Sequence, residues 1–265
     1  MIGLSTFAYF WQLHASNPRR LDLAGVLADV SDRGVGLLQI CDYAPLDELT
    51  PDALADVALR AGDLGVGIEL GTKGVSPDHL LRYLELAKTF DATLVRSMVF
   101  SPGYRPTLAE AERDLNAVTR AYDDAGVTLA LETYEQLPTN DLVSLIEAIG
   151  HPRVGICLDP ANTVALLENP RDVIDRTAPF VANVHVKDFA FTRRGGWVGF
   201  TLEGAPLGTG LLDYEYLVET VRPNERGINQ IIEHWLPLGA SYEETVREEN
   251  TWNTHTLNHL RSRTI

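Results

Sequence analysis

Eight short apolar segments recur along the chain at intervals of roughly 25 to 50 residues, with helical patterning between them, and this rhythm constrains the fold more than any other feature. They are IGLST from Ile2, GLLQIC from Gly36, GIEL from Gly67, LVRSMV from Leu94, TLALET from Thr128, VGICLD from Val154, VANVHV from Val181 and NQIIEH from Asn229. Repeated strand-helix units predict parallel strands. Between them, Thr50-Pro51 and Ser76-Pro77 place a capping residue before a proline at the first helical position, and Gly34, Gly65 and Gly126 fall where a helix needs a C-terminal cap. From Thr107 onward, Leu108, Ala111, Leu115, Val118 and Tyr122 stand at helical spacing and predict one buried face.

Eight such units in 265 residues match an α/β fold of the (β/α)8 TIM barrel type, a single domain spanning residues 1–265. A doubly wound open sheet would carry a Gly-rich nucleotide turn after its first strand, and LSTFAYFW is no such turn. With 45% hydrophobic residues the chain has ample material for a core. Its net charge of −15 repels nucleic acid and anionic lipid, so neither is an expected partner. The only cysteines, Cys41 and Cys157, lie in apolar segments and read as reduced, packed thiols of a cytoplasmic protein. MIGLSTFAYFWQL lacks a basic leader and is interrupted by Ser5, Thr6 and Gln12, which predicts a first strand and an aromatic loop, not a signal peptide or membrane span. The connection from Phe189 to Gly210 is unusually long and is expected to form a functional lid.

Barrel enzymes place their chemistry at the C-terminal strand ends. The last four segments end in LALETYE, GICLDPAN, NVHVKD and QIIEHW, offering Glu132, Asp159, His185 and Glu233 in corresponding places. If all four point inward, the outward positions are Leu129, Leu131, Ile156, Leu158, Val184, Val186 and Ile232, all aliphatic as helix packing requires. The inward set is then Ala130, Gly155, Cys157, Asn183 and Ile231, mostly small. Three carboxylates and an imidazole gathered near a barrel axis call for a neutralising cation. One divalent metal ion answers that need; oxygen-rich ligation with a single histidine favours Mn²⁺ or Mg²⁺, with Co²⁺ and Zn²⁺ also compatible.

On LETYE, GICLDPAN, NVHVKD, GTGLLD and IIEHW the chain resembles the sugar phosphate isomerase/epimerase family, the xylose isomerase-like or AP endonuclease family 2 barrels, over essentially its whole length. The resemblance implies metal ligands at Glu132, Asp159, His185 and Glu233 and, as in ketose epimerases of the family, acid and base roles for Glu132 and Glu233. Two departures stand out. Asn162 occupies the position where many of these isomerases and epimerases have a substrate-contacting histidine, and the segment after HVKD is longer and more aromatic.

Around this set, Lys187 shares the inward parity of His185 and is a candidate donor or proton relay, while Asp188 is expected to brace the loop. Arg96 inside LVRSMV either clamps a substrate oxygen or neutralises Glu132 or Glu69. Arg193 and Arg194 lie where a lid would close over an anionic substrate. Phe7, Phe10, Trp11, Trp197 and Phe200 offer flat surfaces for a sugar, and Asn162 is a further substrate contact. Parity turns His234 away from the axis and returns Trp235 to it. LGTGLLD reads as a structural turn before a helix in preference to a phosphate cradle.

The expected function is a metal-dependent enzyme acting on a small keto-sugar or sugar acid through a metal-stabilised enediolate, of isomerase or epimerase type. The alternative is a lyase using the same anion: decarboxylation of a 3-oxo sugar acid or elimination from a 3-keto glycoside. A DNA repair nuclease is remote, because His14, His79, His151, His255 and His259 miss the strand ends and the charge is wrong for DNA. A homo-oligomer is compatible with the sequence, which leaves subunit count open.

Overall fold

The computed structural model describes residues 1–263. Each expected segment forms a strand: β1 Ile2–Ser5, β2 Leu37–Cys41, β3 Gly67–Lys73, β4 Leu94–Met98, β5 Thr128–Glu132, β6 Val154–Leu158 and β7 Val181–Val186, then a hairpin of β8 Asp188–Arg193 and β9 Phe200–Ala205, and finally β10 Asn229–Ile232. The eight strands other than the hairpin close into a parallel barrel in the order β1-β10-β7-β6-β5-β4-β3-β2, with helices around it. Among the described residues no helix is long and apolar enough to cross a membrane.

Strand parity divides the apolar residues into two compartments. Leu129, Leu131, Ile156, Leu158, Val184, Val186 and Ile232 belong to the large core between barrel and helices. Ala130 and Cys157 pack with Leu94 in a separate cluster inside the barrel. Burying one such aliphatic side chain contributes about 1.5–3 kcal/mol, so a register slip on any of these strands would be heavily penalised. This division aims the polar strand ends at the axis.

The helices begin largely as their sequences dictate. Thr50 Oγ1 accepts from the Ala53 amide, and Thr107 with Glu110 forms a full capping box at the start of helix Leu108–Asp124. Ser76 holds the N-cap position of helix Pro77–Thr89, but its side chain makes no capping bond. Ala111, Leu115, Val118 and Tyr122 are buried as expected; Leu108, in the first turn of its helix, is 37% exposed.

The long connection after β7 is ordered as the β8–β9 hairpin. Its base is pinned where Gly204 N donates to Trp235 O at 3.0 Å and Leu211 N to Phe189 O at 2.8 Å. Asp188 braces the turn beyond the hairpin: its carboxylate accepts the amides of Phe189, Gly208, Gly210 and Leu212 at 2.8–2.9 Å. A Cβ on Gly210 would lie 2.3 Å from Asp188 Oδ1, so the LGTGLLD turn is shaped around this chain's own carboxylate. The structural reading of that turn therefore stands.

Gly71 on β3 faces the same interior, where a Cβ would meet Cys41 Sγ at 2.2 Å. Gly71→Ala is expected to lose about 1–3 kcal/mol in urea unfolding. Gly62→Ala, in helix Pro51–Asp63 with nothing within 4 Å, is expected to be neutral or to gain up to about 1 kcal/mol.

Candidate metal centre at the barrel mouth

Glu132 ends β5, Asp159 follows β6, His185 lies in β7 and Glu233 follows β10, so four neighbouring staves converge as strand parity predicts. One ligand-type atom from each lies within 4.8 Å of the others, and all four residues are buried. His185 Nδ1 is the common point, 3.2 Å from Glu132 Oε1, 3.4 Å from Glu233 Oε2 and 3.7 Å from Asp159 Oδ2.

Each side chain is held from behind. Asp159 caps the short helix Pro160–Thr163, with Oδ1 accepting from Ala161 N at 3.1 Å and Asn162 N at 3.2 Å. Its Oδ2 is thereby turned to the cluster, where Lys187 Nζ stands 2.6 Å away but off the direction of a hydrogen bond. Glu132 Oε1 accepts from Asn162 Nδ2 at 3.0 Å, and its Oε2 faces Arg96 Nε at 3.2 Å, again misdirected. Ser5 Oγ donates to Glu233 Oε1 at 3.0 Å and Lys187 Nζ to its Oε2 at 3.3 Å. Two buried carboxylate oxygens thus lack a directed donor, which is what a site built for a cation presents.

The electrostatics agree. Burial works against a charge on His185, yet Cys157, Glu233 and Glu132 outweigh it and hold its pKa well above the ordinary histidine value. Burial pushes Glu132 and Glu233 upward, but Arg96 and His185 on the first, and His185 and Lys187 on the second, hold both below the usual carboxylate range. Lys187 stays above the ordinary lysine value despite burial because Asp159 and Glu233 face it. With His185 protonated, Arg96, Lys187 and His185 balance the three carboxylates; an ion that took the place of the His185 proton would meet one net negative charge. The donor set fits a divalent ion.

The other expected residues divide sharply. Arg96 is buried and engaged with Glu132, with the Thr72 carbonyl at 2.9 Å and with Asp42 at 4.0 Å, the contacts expected of the neutralising alternative. Asn162 contacts Glu132, and its Oδ1 is buried without a partner. Lys187 also lies over the Trp235 ring at 4.5 Å, which puts Trp235 on the wall of the site. His234 points away, bonded to Asn253 Oδ1 at 3.0 Å, with burial lowering its pKa to about 4. Arg193 and Trp197 are not brought to the cluster: they stand on the exposed end of the hairpin, with the Arg193 guanidinium over the Trp197 and Phe200 rings at 5.0 and 4.6 Å. Strand alternation carries no information about where such a tip points.

A cavity of about 590 Å³ opens at the mouth between the segment after β1 and the ends of β2 and β3; Thr6, Phe7, Phe10, Cys41, Asp42 and Lys73 are among its walls. Sequence reasoning overlooked Lys73 and Asp42, which pair at 3.2 Å, although Lys73 shares the inward parity of Glu69. Trp11 is fixed at the edge, its indole donating to Leu236 O at 2.7 Å. The backbone amides of Trp11 and Gln12 donate to Glu249 at 2.8 and 3.1 Å, and burial pushes that carboxyl up to about 7. A carboxyl whose folded pKa exceeds its unfolded value stabilises fully below the unfolded value and loses that contribution as pH rises through the folded one. The Glu249 contribution therefore falls between pH 4.5 and 7 while that of His234, with its lowered pKa, rises, so Glu249→Gln is expected to make stability in urea rise more steeply with pH across this window than in the parent protein.

Mn²⁺ is expected to raise the melting temperature, since an ion at 100 times its Kd adds about 2.7 kcal/mol. In calorimetry Asp159→Asn and His185→Ala should abolish the rise, and a chelator should reverse it in the parent protein.

Comparison with known proteins agrees with this architecture. The 3-oxo-isoapionate decarboxylase of Pectobacterium atrosepticum is 50% identical over 262 residues, which cover 99% of this chain and 95% of that protein. A crystal structure of D-psicose 3-epimerase in the presence of D-fructose superposes with a TM-score of 0.73 at 15% identity, covering 98% of this chain and 96% of the other. A xylose isomerase-like TIM barrel protein from Mycobacterium smegmatis in complex with magnesium gives 0.71 at 17%, covering 96% of each. Residues 15–262 match the xylose isomerase-like TIM barrel family, AP endonuclease family 2, and the chain belongs to it, an enzyme of isomerase, epimerase or lyase type.

Proposed function

We propose that this protein is a cytoplasmic, divalent-metal-dependent decarboxylase of a 3-oxo sugar acid. The observation that carries the reading is the 50% identity, over nearly the whole chain, to a decarboxylase of that class. Charge supports it: a divalent ion in place of the His185 proton would give the cluster one net positive charge, which a monoanionic sugar acid balances. Asn162, standing where sugar epimerases of the family have a histidine, points the same way.

Glu132, Asp159, His185 and Glu233 would hold the ion, with Mn²⁺ or Mg²⁺ favoured by the three carboxylates. When bound, such an ion supplies fixed positive charge against the negative charge that builds on the ketone oxygen. Arg96 and Asn162 hold Glu132 in one orientation, and Ser5 does the same for Glu233. The bond between the carboxylate carbon and the α-carbon breaks, CO₂ leaves, and its electron pair passes to the α-carbon and the adjacent ketone oxygen. Lys187, fixed by Asp159, Glu233 and the Trp235 face, then gives a proton from Nζ to the α-carbon and regains one from water. Phe7 and Phe10 line the cavity through which substrate arrives.

An epimerase or isomerase would use the same cluster with Glu132 and Glu233 as acid and base, so the product decides. With a 3-oxo sugar acid in D₂O, carbon NMR is expected to show release of one CO₂ and one deuterium at the former α-carbon; deuterium exchange with the carboxylate retained would overturn the reading. Lys187→Met is expected to lower kcat about 10²–10⁴-fold with little change in KM.

A further inference from the structure

Beneath the candidate metal centre lies a second layer of polar groups, the buried Gln39, Glu69 and Asn183 and the half-buried Asn229, on β2, β3, β7 and β10. Gln39, Glu69 and Asn183 are at most 2% exposed, in an interior where aliphatic residues would pack at no polar cost. Their bonds all run one way. Glu69 accepts from Gln39 Nε2 at 3.0 Å, Asn183 Nδ2 at 3.1 Å and Asn229 Nδ2 at 2.7 Å, so both its oxygens are filled by amide donors. Gln39 Nε2 also donates to Asn183 Oδ1 at 3.2 Å. With its amino group committed downward, Gln39 presents Oε1 upward, 2.9 Å from His185 Nε2 and 3.0 Å from Cys41 Sγ.

We infer that Gln39, oriented by Glu69, is a positioning residue that keeps the Nε2–H of His185 in place and so makes Nδ1, which lies 3.2 Å from Glu132 Oε1, the nitrogen that gives up its proton to an ion among the three carboxylates. Flipping the Gln39 amide would set its oxygen against both the Glu69 carboxylate and Asn183 Oδ1, each mismatch costing about 1–3 kcal/mol. His185 is left with one acceptor at Nε2, and a ring nitrogen committed to an N–H acceptor fixes which nitrogen is free to ligate. Gly71 completes the device, since any Cβ there would displace the Cys41 thiol from Gln39. Glu69 hydrogen-bonds none of the four ligand residues; it reaches His185 through the Gln39 amide and through its charge.

The inference rests on the proposed metal site, and the test separates the two. Mn²⁺ affinity would be measured by competition with a chelating dye for the parent protein, Gln39→Met and Glu69→Gln. The tautomer would be read from long-range ¹H–¹⁵N histidine spectra with Mg²⁺ bound. The expected result is one Nε2–H tautomer at His185 in the parent, and in both variants a mixed population with Kd raised about 10–100-fold. Residues that merely fill space would lower the melting temperature and leave tautomer and Kd as in the parent; that result overturns the inference and leaves the metal site standing. Absence of Mn²⁺ binding by the parent protein overturns both. Should Gln39→Met not fold, Glu69→Gln carries the same decision from a position remote from the ligands.

Discussion

Three carboxylates crowd one imidazole nitrogen in a buried barrel mouth, where Arg96, Lys187 and the protonated His185 stand against them. With ligand atoms within 4.8 Å of one another, buried like charges of this kind cost several kcal/mol unless something neutralises them. The arrangement is therefore held by its surroundings: a helix start fixes Asp159, a serine fixes Glu233, and an arginine with an asparagine fixes Glu132. Much of what the barrel builds near its axis serves to keep these carboxylates together, as the proposed ion site requires.

That dependence explains the composition of the interior. Small residues such as Ala130, Gly155 and Cys157 occupy the inward positions beside the cluster, while the large aliphatics of the same strands are spent on the helix layer. Below the cluster the interior turns polar, through Gln39, Glu69, Asn183 and Asn229, and the gain is directional: an amide chain transmits an orientation to His185 that a leucine layer would not. Above it the walls become apolar through Phe7 and Phe10, with Lys73 and Asp42 at the edge.

The barrel and the four converging residues were legible because both follow from periodicity: period 2 along a strand and a regular spacing between strands. Lys187 and Asp188 were legible for the same reason. What stayed hidden depends on which strands become neighbours. That Arg96 pairs with Glu132 and not with Glu69 is decided by the β4–β5 contact and by the amides that surround Glu69. Gln39 and Glu69 were visible as polar residues within apolar segments, but their common partner lies on strands distant in sequence. Arg193 and Trp197 stand away from the cluster because residues 188–205 form a hairpin whose tip projects, and the length of a connection does not reveal its direction. The reaction itself was narrowed by kinship: the cluster serves an epimerase or a decarboxylase with equal geometry.

The central claim is that Glu132, Asp159, His185 and Glu233 share one cation. Anomalous scattering from crystals grown with Mn²⁺ tests it most directly. The account predicts a single strong peak among these side chains, about 2.0–2.3 Å from His185 Nδ1 and from one oxygen of each carboxylate. An empty map at that point, or a peak on the Nε2 side of the ring, would contradict it.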